Sequence, residues 1–376
     1  MKKTVQRQVN MQFRILSALV MILVVMGHVD EGMLTIGGLF PYYSFHIALF
    51  LFISGYFYQP EKEERIGAYL VGKARSLLLP YFVWNLVYGL LVLALRRAGF
   101  YIGNEPSLWT LFAEPFLSGH QFLYNAPAWF VPALFLTEAA NAVIRRLLRF
   151  IHMQNDWFLM GLYLCLGFLV VWLSAHGYVY DWYRIPGRLM YMLPCYQMGQ
   201  LYRQRLEKRD VLPNWLYFGI LFIIQLILVS FCNGLAVSAA WCNGFLNGPL
   251  IPYVTAVTGI AFWLRVSRIL TPALSKSRFW NDFGAHTFAV MMHQVMAFLA
   301  VKSVFFLLHT AAGCFTDFDI NAYLTDVYYM YLPGGLTQFK MLYVIAGICL
   351  PLLLQKGLDA VRGRAGSLRL AGTRPE

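Results

Sequence analysis

Three histidines stand inside apolar stretches of the chain, where an ionisable side chain is costly and therefore a candidate for function. His28 ends the run VVMGH at residues 24–28, His46 lies in SFHI at 44–47, and His293 lies in VMMHQ at 290–294. An imidazole titrates near neutral pH, so it can take a proton from a hydroxyl. A buried histidine can equally be a hydrogen-bonded packing residue, and the sequence leaves both interpretations open.

The first of these histidines shares a helix face with a cation. Arg14 precedes His28 by fourteen residues and Ser17 precedes it by eleven. At 100° per residue, both positions fall within about 40° of the His28 face. One stripe of a first helix is therefore predicted to carry a cation near one membrane face and an imidazole toward the other.

Further candidates flank the other apolar stretches. Lys73 and Arg75 stand just before an apolar stretch, where they could hold phosphates by charge-assisted hydrogen bonds. They could equally mark the cytoplasmic side of the membrane. Trp129 is expected near the opposite boundary, either as an aromatic anchor or as a face on which a sugar stacks.

The composition predicts the kind of scaffold that positions these residues. Of the 376 residues, 59% are hydrophobic and 13% charged, about half the charge of an ordinary soluble domain. This excludes a soluble enzyme and a secreted disulfide-rich scaffold. The chain is predicted to be an all-α polytopic membrane bundle that forms a single domain over residues 1–362, followed by a short polar cytoplasmic tail at 363–376. Ten spans are predicted, at residues 12–29, 41–58, 76–96, 127–144, 157–175, 186–202, 213–233, 248–266, 283–308 and 341–358.

The basic residues behind the net charge of +12 are distributed unevenly about the predicted spans. With ten spans and a cytoplasmic N-terminus, the loops and span ends on the cytoplasmic side hold all of the 30 basic residues except Arg96, Arg97, Arg184, Arg188, Lys302 and Lys340. Such a bias predicts that both termini are cytoplasmic. Membrane topology therefore accounts for the excess of basic residues, and no nucleic-acid partner is expected. No His/Cys spacing typical of a metal site is present.

Six motifs, in order, resemble the membrane acyltransferase-3 family, particularly a branch similar to bacterial fucose O-acetylases. They are VVMGH at 24–28, FHIALFLFISGYF at 45–57, KARSLLLPY at 73–81, AWFV at 128–131, LPCYQMG at 193–199 and FGAHTFAVMMH at 283–293. Family members commonly have a basic residue where this chain has Ser17, so Arg14 is the nearest cation for that role.

The resemblance implies a multi-pass enzyme of the inner or plasma membrane that uses cytoplasmic acyl-CoA, with acetyl-CoA as the expected donor. The acceptor would be a hydroxyl of an envelope glycan or of a lipid-linked sugar. His28 matches the histidine essential in the family and His46 would assist it, whereas Arg14, Lys73 and Arg75 would bind the donor. Trp129 and His293 would contact the acceptor. No metal is expected, and a homo-oligomer is compatible with the sequence.

Two other classes of protein remain open at this stage. A transporter would use buried histidines to relay protons and would move its substrate without consuming CoA. The sequence contains no visible inverted repeat, a feature common in transporters. A membrane sensor or scaffold is the third class, although the short loops leave little surface for partners.

Overall fold

The computed structural model describes residues 9–30, 32–33 and 36–371, with the side chains of Lys62 and of residues beyond 362 left out. The predicted cytoplasmic residues Lys2, Lys3, Arg7 and Arg374 lie outside the described residues. The described part is about 75% helical and contains no β-strand. Its helices are α1 (Met11–Val29), α2 (His46–Tyr56), α3 (Ile66–Lys73), α4 (Leu79–Arg97), α5 (Leu108–Phe112), α6 (Glu114–Leu117), α7 (Phe130–Phe150), α8 (Asp156–Ala175), α9 (Arg184–Leu201), α10 (Asn214–Phe231), α11 (Ile251–Leu274), α12 (Arg278–Ala285), α13 (Thr287–Ala312), α14 (Ile320–Thr325) and α15 (Lys340–Ala371).

Eight helical segments among the described residues are long and apolar enough to cross a membrane. They are Met11–Val29, Glu63–Arg97, Ala126–Phe150, Asp156–Ala175, Asn214–Phe231, Ile251–Leu274, Thr287–Ala312 and Thr337–Arg362. Their outward sides expose large aliphatic and aromatic residues, as expected of helices in contact with lipid. The chain is therefore a multi-pass membrane protein, and eight of the ten predicted spans correspond to these segments.

The other two predicted spans, 41–58 and 186–202, correspond to interior helices of different character. The helix α2 has eleven residues and is only about 16 Å long, too short to cross a bilayer alone. The helix α9 is long enough but buries Arg188, Gln197 and Gln200. It packs against α2, α7 and α8. Because protein rather than lipid surrounds these helices, polar groups such as those of Arg188 and Gln197 find hydrogen-bond partners inside the bundle.

Two glycines let α2 and α9 approach at backbone distance. A Cβ atom added at Gly55 would lie 1.8 Å from the carbonyl oxygen of Tyr196, and one added at Gly199 would lie 1.9 Å from that of Phe52. No side chain fits at either position without separating the helices. The backbone of α9 is thus the close neighbour of α2 at both glycines.

The first helix runs through the middle of the bundle. Phe13, Leu16 and Val20 belong to one hydrophobic cluster, whereas Met21 and Val25 belong to a second. The helix α1 packs against α2, α11, α12, α13 and α15. Its last turn therefore delivers His28 to the interior of one end of the molecule, called here the His28 end. The opposite end is called the Arg14 end.

Candidate active site

A cavity of about 810 Å³ opens at the His28 end, a volume typical of sites for small molecules. It lies between the last turn of α1, the start of α2, and loops that precede α7, α11 and α15. Its polar and aromatic lining consists of His28, Asp30, Tyr43, His46, Asn104, Ser118, His120, Trp129, Ser238, Trp241 and Tyr328. The structure thus brings together three of the seven residues singled out from the sequence: His28, His46 and Trp129.

His28 and His46 are held in the same way. The Nδ1 atom of His28 lies 2.7 Å from the carbonyl oxygen of Val24, and that of His46 lies 2.8 Å from the carbonyl oxygen of Tyr42. A carbonyl can only accept, so Nδ1–H must donate, and the Nε2 atom of each neutral ring carries the lone pair. Both rings are therefore fixed in the tautomer that can accept a proton at Nε2.

A third imidazole in the cavity, His120, was missed by the sequence analysis. It lies between α6 and α7, in a polar loop rather than in an apolar stretch, so its sequence context does not mark it as an ionisable residue inside the membrane. The preceding residue, Gly119, has a φ of +72°, and a Cβ atom there would lie 2.4 Å from the Cβ of Trp129. Only glycine allows this turn to approach so closely, and the turn brings His120 to the cavity.

The side chain of His120 is tightly oriented. Its Nδ1 atom lies 2.8 Å from the carbonyl oxygen of Ser118, and its ring stacks on Trp241 with centroids 4.9 Å apart. Burial, together with the charges of nearby Arg188 and Arg184, lowers the pKa of His120 to about 4. At neutral pH this ring is uncharged, with Nε2 as an acceptor.

Arg188, which is buried in α9, joins the two loops on this side of the cavity. Its guanidinium donates to the carbonyl oxygens of Ser118 and Ala240 and lies 4.9 Å from the ring centroid of Trp129. One face of Trp129 is therefore in contact with a cation, and this leaves less of its ring for a stacked sugar than the sequence suggested.

Residues far apart in the sequence complete the rim. The ring of Tyr328 stacks at 6.5 Å on that of His28. The buried ammonium of Lys302 donates to the carbonyl of Val327 at 3.0 Å, which fixes the backbone beside Tyr328. Asp30 forms a 2.5 Å ion pair with Lys340, and this hydrogen bond holds the pKa of the Asp30 carboxyl below its usual value. No local feature of the sequence marks Tyr328, Lys302 or Asp30 as part of the site.

His293 is not among the residues that line this cavity. Its Nδ1 atom lies 2.8 Å from the hydroxyl of Tyr88, and its ring meets that of Trp84 edge-on at 4.2 Å. These contacts join α13 to α4, so the surroundings of His293 are those of a packing residue. His293 therefore does not share the cavity with His28 in this structure, and its contact with the acceptor stays a prediction.

The three predicted donor residues lie at the Arg14 end. Lys73 forms a 2.6 Å ion pair with Glu138, which is buried in α7, and it borders cavities of about 700 and 150 Å³. Arg75 is exposed in a π-helical turn, 74–78, between α3 and α4. Arg14 is partly buried in the first turn of α1 and lies about 21 Å from His28 along the helix axis.

The described residues contain no group of three or more His, Cys, Asp or Glu side chains able to hold a metal ion. Comparison with known proteins gives one clear relationship. The model of a family described as "Acyltransferase domain" matches residues 13–354, which include the cavity and nearly all of the helical bundle. No curated protein and no solved structure matches the chain. By this match, the chain belongs to the acyltransferase-3 family that its motifs resemble.

Proposed function

We propose that this membrane acyltransferase moves an acetyl group from cytoplasmic acetyl-CoA to a hydroxyl of an envelope glycan or of its lipid-linked precursor. The observation that carries the proposal is the cavity at the His28 end, where the Nε2 atom of His28 is an acceptor beside space for a substrate. Acyl transfer to an alcohol requires a base in such a position and a site that limits the access of water.

In the proposed reaction, His28 Nε2 takes the proton of the acceptor hydroxyl as the hydroxyl oxygen attacks the thioester carbonyl. The tetrahedral intermediate collapses, the carbon–sulfur bond breaks, and the CoA thiolate leaves. The imidazolium of His28 returns the proton to this sulfur, so the enzyme ends in its starting state. The Nδ1–H bond to Val24 keeps the ring oriented through both transfers.

His46 fits an orienting role better than a role as an oxyanion donor. Its Nδ1–H already donates to Tyr42, so a neutral His46 has no second N–H to offer an oxyanion. An oxyanion hole needs a donor pointed at the developing charge. The side-chain amide of Asn104, which lines the same cavity, is a group that can supply one.

The donor is proposed to enter from the cytoplasm at the Arg14 end. The predicted bias of basic residues toward the cytoplasm supports an orientation with this end inside. Two of the six basic residues outside the predicted cytoplasmic segments, Arg188 and Lys340, lie at the opposite His28 end. They contact the cavity-lining residues Ala240 and Asp30 there. The adenine nucleotide would stay near Arg14 and Arg75 at this end. The thioester would then reach toward His28, which lies about 21 Å from Arg14 along α1, a span that the long pantetheine arm of CoA suits.

Replacing Arg75 with glutamine should raise the KM for acetyl-CoA about 2- to 5-fold at low salt, with a smaller effect at high salt, because the lost cation is exposed. Lys73→Gln should instead lower the folded yield, since it leaves the buried Glu138 without its cation. Steady-state kinetics at two salt concentrations measures the first effect. Arg205→Gln removes an exposed cation from the same end and should leave this KM unchanged. An Arg75 variant indistinguishable from it would remove Arg75 from the donor site.

The proposed function is tested by release of free CoA from acetyl-CoA, using the purified full-length protein in detergent. The acceptor probe is a total envelope glycan extract from the host, deacetylated with mild alkali. Release should depend on this extract, and acetate esters should appear on the glycan. A transporter would instead carry glycan or proton across liposome membranes with no consumption of acetyl-CoA, and that result would replace the proposal.

A further inference from the structure

We propose that His120 binds a second hydroxyl of the acceptor, so that the site selects a neutral, polyhydroxylated compound such as an uncharged sugar residue. The inference rests on the proposed function and assigns a role to a residue that the proposed reaction does not use. His120 lines the same cavity as His28, although it reaches the cavity from a loop ahead of α7 rather than from α1.

His120 is held in place by contacts that do not involve its Nε2 atom. Its Nδ1–H donates to Ser118, and its ring lies against Trp241 at an interplanar angle of 23°. Orientation and tautomer are thus fixed without Nε2. No partner of this nitrogen is found among the described residues, which leaves it available to a ligand.

Arg188 stabilises the position of His120 through the backbone of both loops that contact the ring. Its guanidinium donates to the carbonyl of Ser118, the same oxygen that accepts from His120, and also to the carbonyl of Ala240, next to Trp241. A buried arginine therefore fixes both the hydrogen-bond partner and the stacking partner of His120. Such support is typical of residues whose position matters for a bound ligand.

The lone pair of His120 Nε2 limits the chemistry of the ligand. A neutral imidazole nitrogen that carries a lone pair accepts hydrogen bonds, and a sugar hydroxyl is a suitable donor, whereas a carboxylate or phosphate is not. The described residues that line the cavity include no lysine or arginine, and the one carboxylate, Asp30, is paired with Lys340. Arg184 lies over the ring of Trp241 and does not line the cavity. The lining therefore suits an uncharged acceptor.

Two substitutions separate the hydroxyl contact from the packing of the ring. His120→Phe keeps a ring against Trp241 but removes Nε2, whereas His120→Gln removes the ring and keeps a polar group near the position of Nε2. The loss of one hydrogen bond between neutral groups corresponds to about a 3- to 10-fold weaker interaction. His120→Phe should raise the KM for the glycan extract by this factor, with kcat within about twofold.

His120→Gln should keep the KM for the extract within about twofold of wild type, and neither variant should change the KM for acetyl-CoA. Thermal unfolding in detergent shows whether both variants fold. Equal kinetic losses in the two variants, or an unchanged KM in His120→Phe, would overturn the proposal. A fall in kcat of roughly 10²-fold or more in both would also overturn it, because that size indicates a proton-transferring group.

Competition tests the charge of the acceptor. Neutral methyl hexopyranosides should inhibit the wild type competitively against the extract, and should inhibit His120→Phe about 3- to 10-fold more weakly. Hexuronic acids that bind more tightly than the neutral glycosides would overturn the assignment of an uncharged acceptor. If the wild type releases no CoA with the extract, the proposed function itself fails, and this outcome is distinct from any difference between the two His120 variants.

Discussion

Replacing His28 with alanine should lower the kcat of acetyl transfer by roughly 10²–10⁴-fold, the range usual for the loss of a positioned general base. The KM values for donor and acceptor should change only a few-fold, because the side chain acts on a proton and not chiefly in binding. His28→Gln should be nearly as inactive, since glutamine has no group that titrates near neutral pH. The measurement is extract-dependent CoA release by protein purified in equal amounts.

The chain provides a matched control for this variant. His176 follows the last turn of α8, is exposed, and has its Nδ1 atom 2.8 Å from the carbonyl of Trp172, the same local bond that His28 makes. It does not line the cavity, so His176→Ala should keep wild-type kcat. His46→Ala should lower kcat less than His28→Ala does, if the role of His46 is to orient His28. Near wild-type CoA release by His28→Ala would eliminate His28 as the general base.

Replacing Gly199 or Gly55 with alanine should destabilise the folded protein by about 1–3 kcal/mol or more, the usual cost of overpacking. Each added methyl would lie under 2 Å from a backbone carbonyl oxygen of the partner helix, and rigid backbone cannot move aside as a flexible side chain does. Because α2 begins at His46, separation of α2 from α9 should also disturb the cavity.

The readouts are the midpoint of thermal unfolding in detergent and the monodisperse yield on size-exclusion chromatography. Gly161→Ala is the control, because a Cβ atom there would have no neighbour within 4 Å. In an exposed position of α8, this change should be neutral or slightly stabilising, since alanine favours the helix. If Gly199→Ala and Gly161→Ala unfold at the same temperature, α2 and α9 do not make the close contact described above.

Local features of the sequence were sufficient to predict the membrane helices, the position of His28 and the family. Apolar stretches predict membrane helices because each helix must satisfy its own backbone bonds in lipid, and eight of those predicted are present. The position of His28 at the end of the first helix follows from the same local pattern. The six ordered motifs were sufficient to indicate the family, which the match over residues 13–354 confirms.

The sequence did not distinguish the helices inside the bundle, α2 and α9, from helices that contact lipid. The criteria of length and apolarity reflect contact with lipid, whereas α2 and α9 contact mainly other helices. A short helix and a polar one are stable there because neighbouring helices supply their contacts. For Lys73, too, the sequence shows a basic flank, whereas the ion pair with Glu138 joins residues 65 positions apart.

Only the tertiary structure determines which residues line the cavity. His120 is close to His28 because Gly119 turns against Trp129 and Arg188 holds the loop from another helix, and no spacing along the chain encodes these contacts. His293 looked equivalent to His28 in sequence, yet its ring bonds to Tyr88 in the packing between two helices. Local sequence determines whether a residue enters the membrane and on which helix face it lies. Contacts between distant segments determine which of these faces enclose a site.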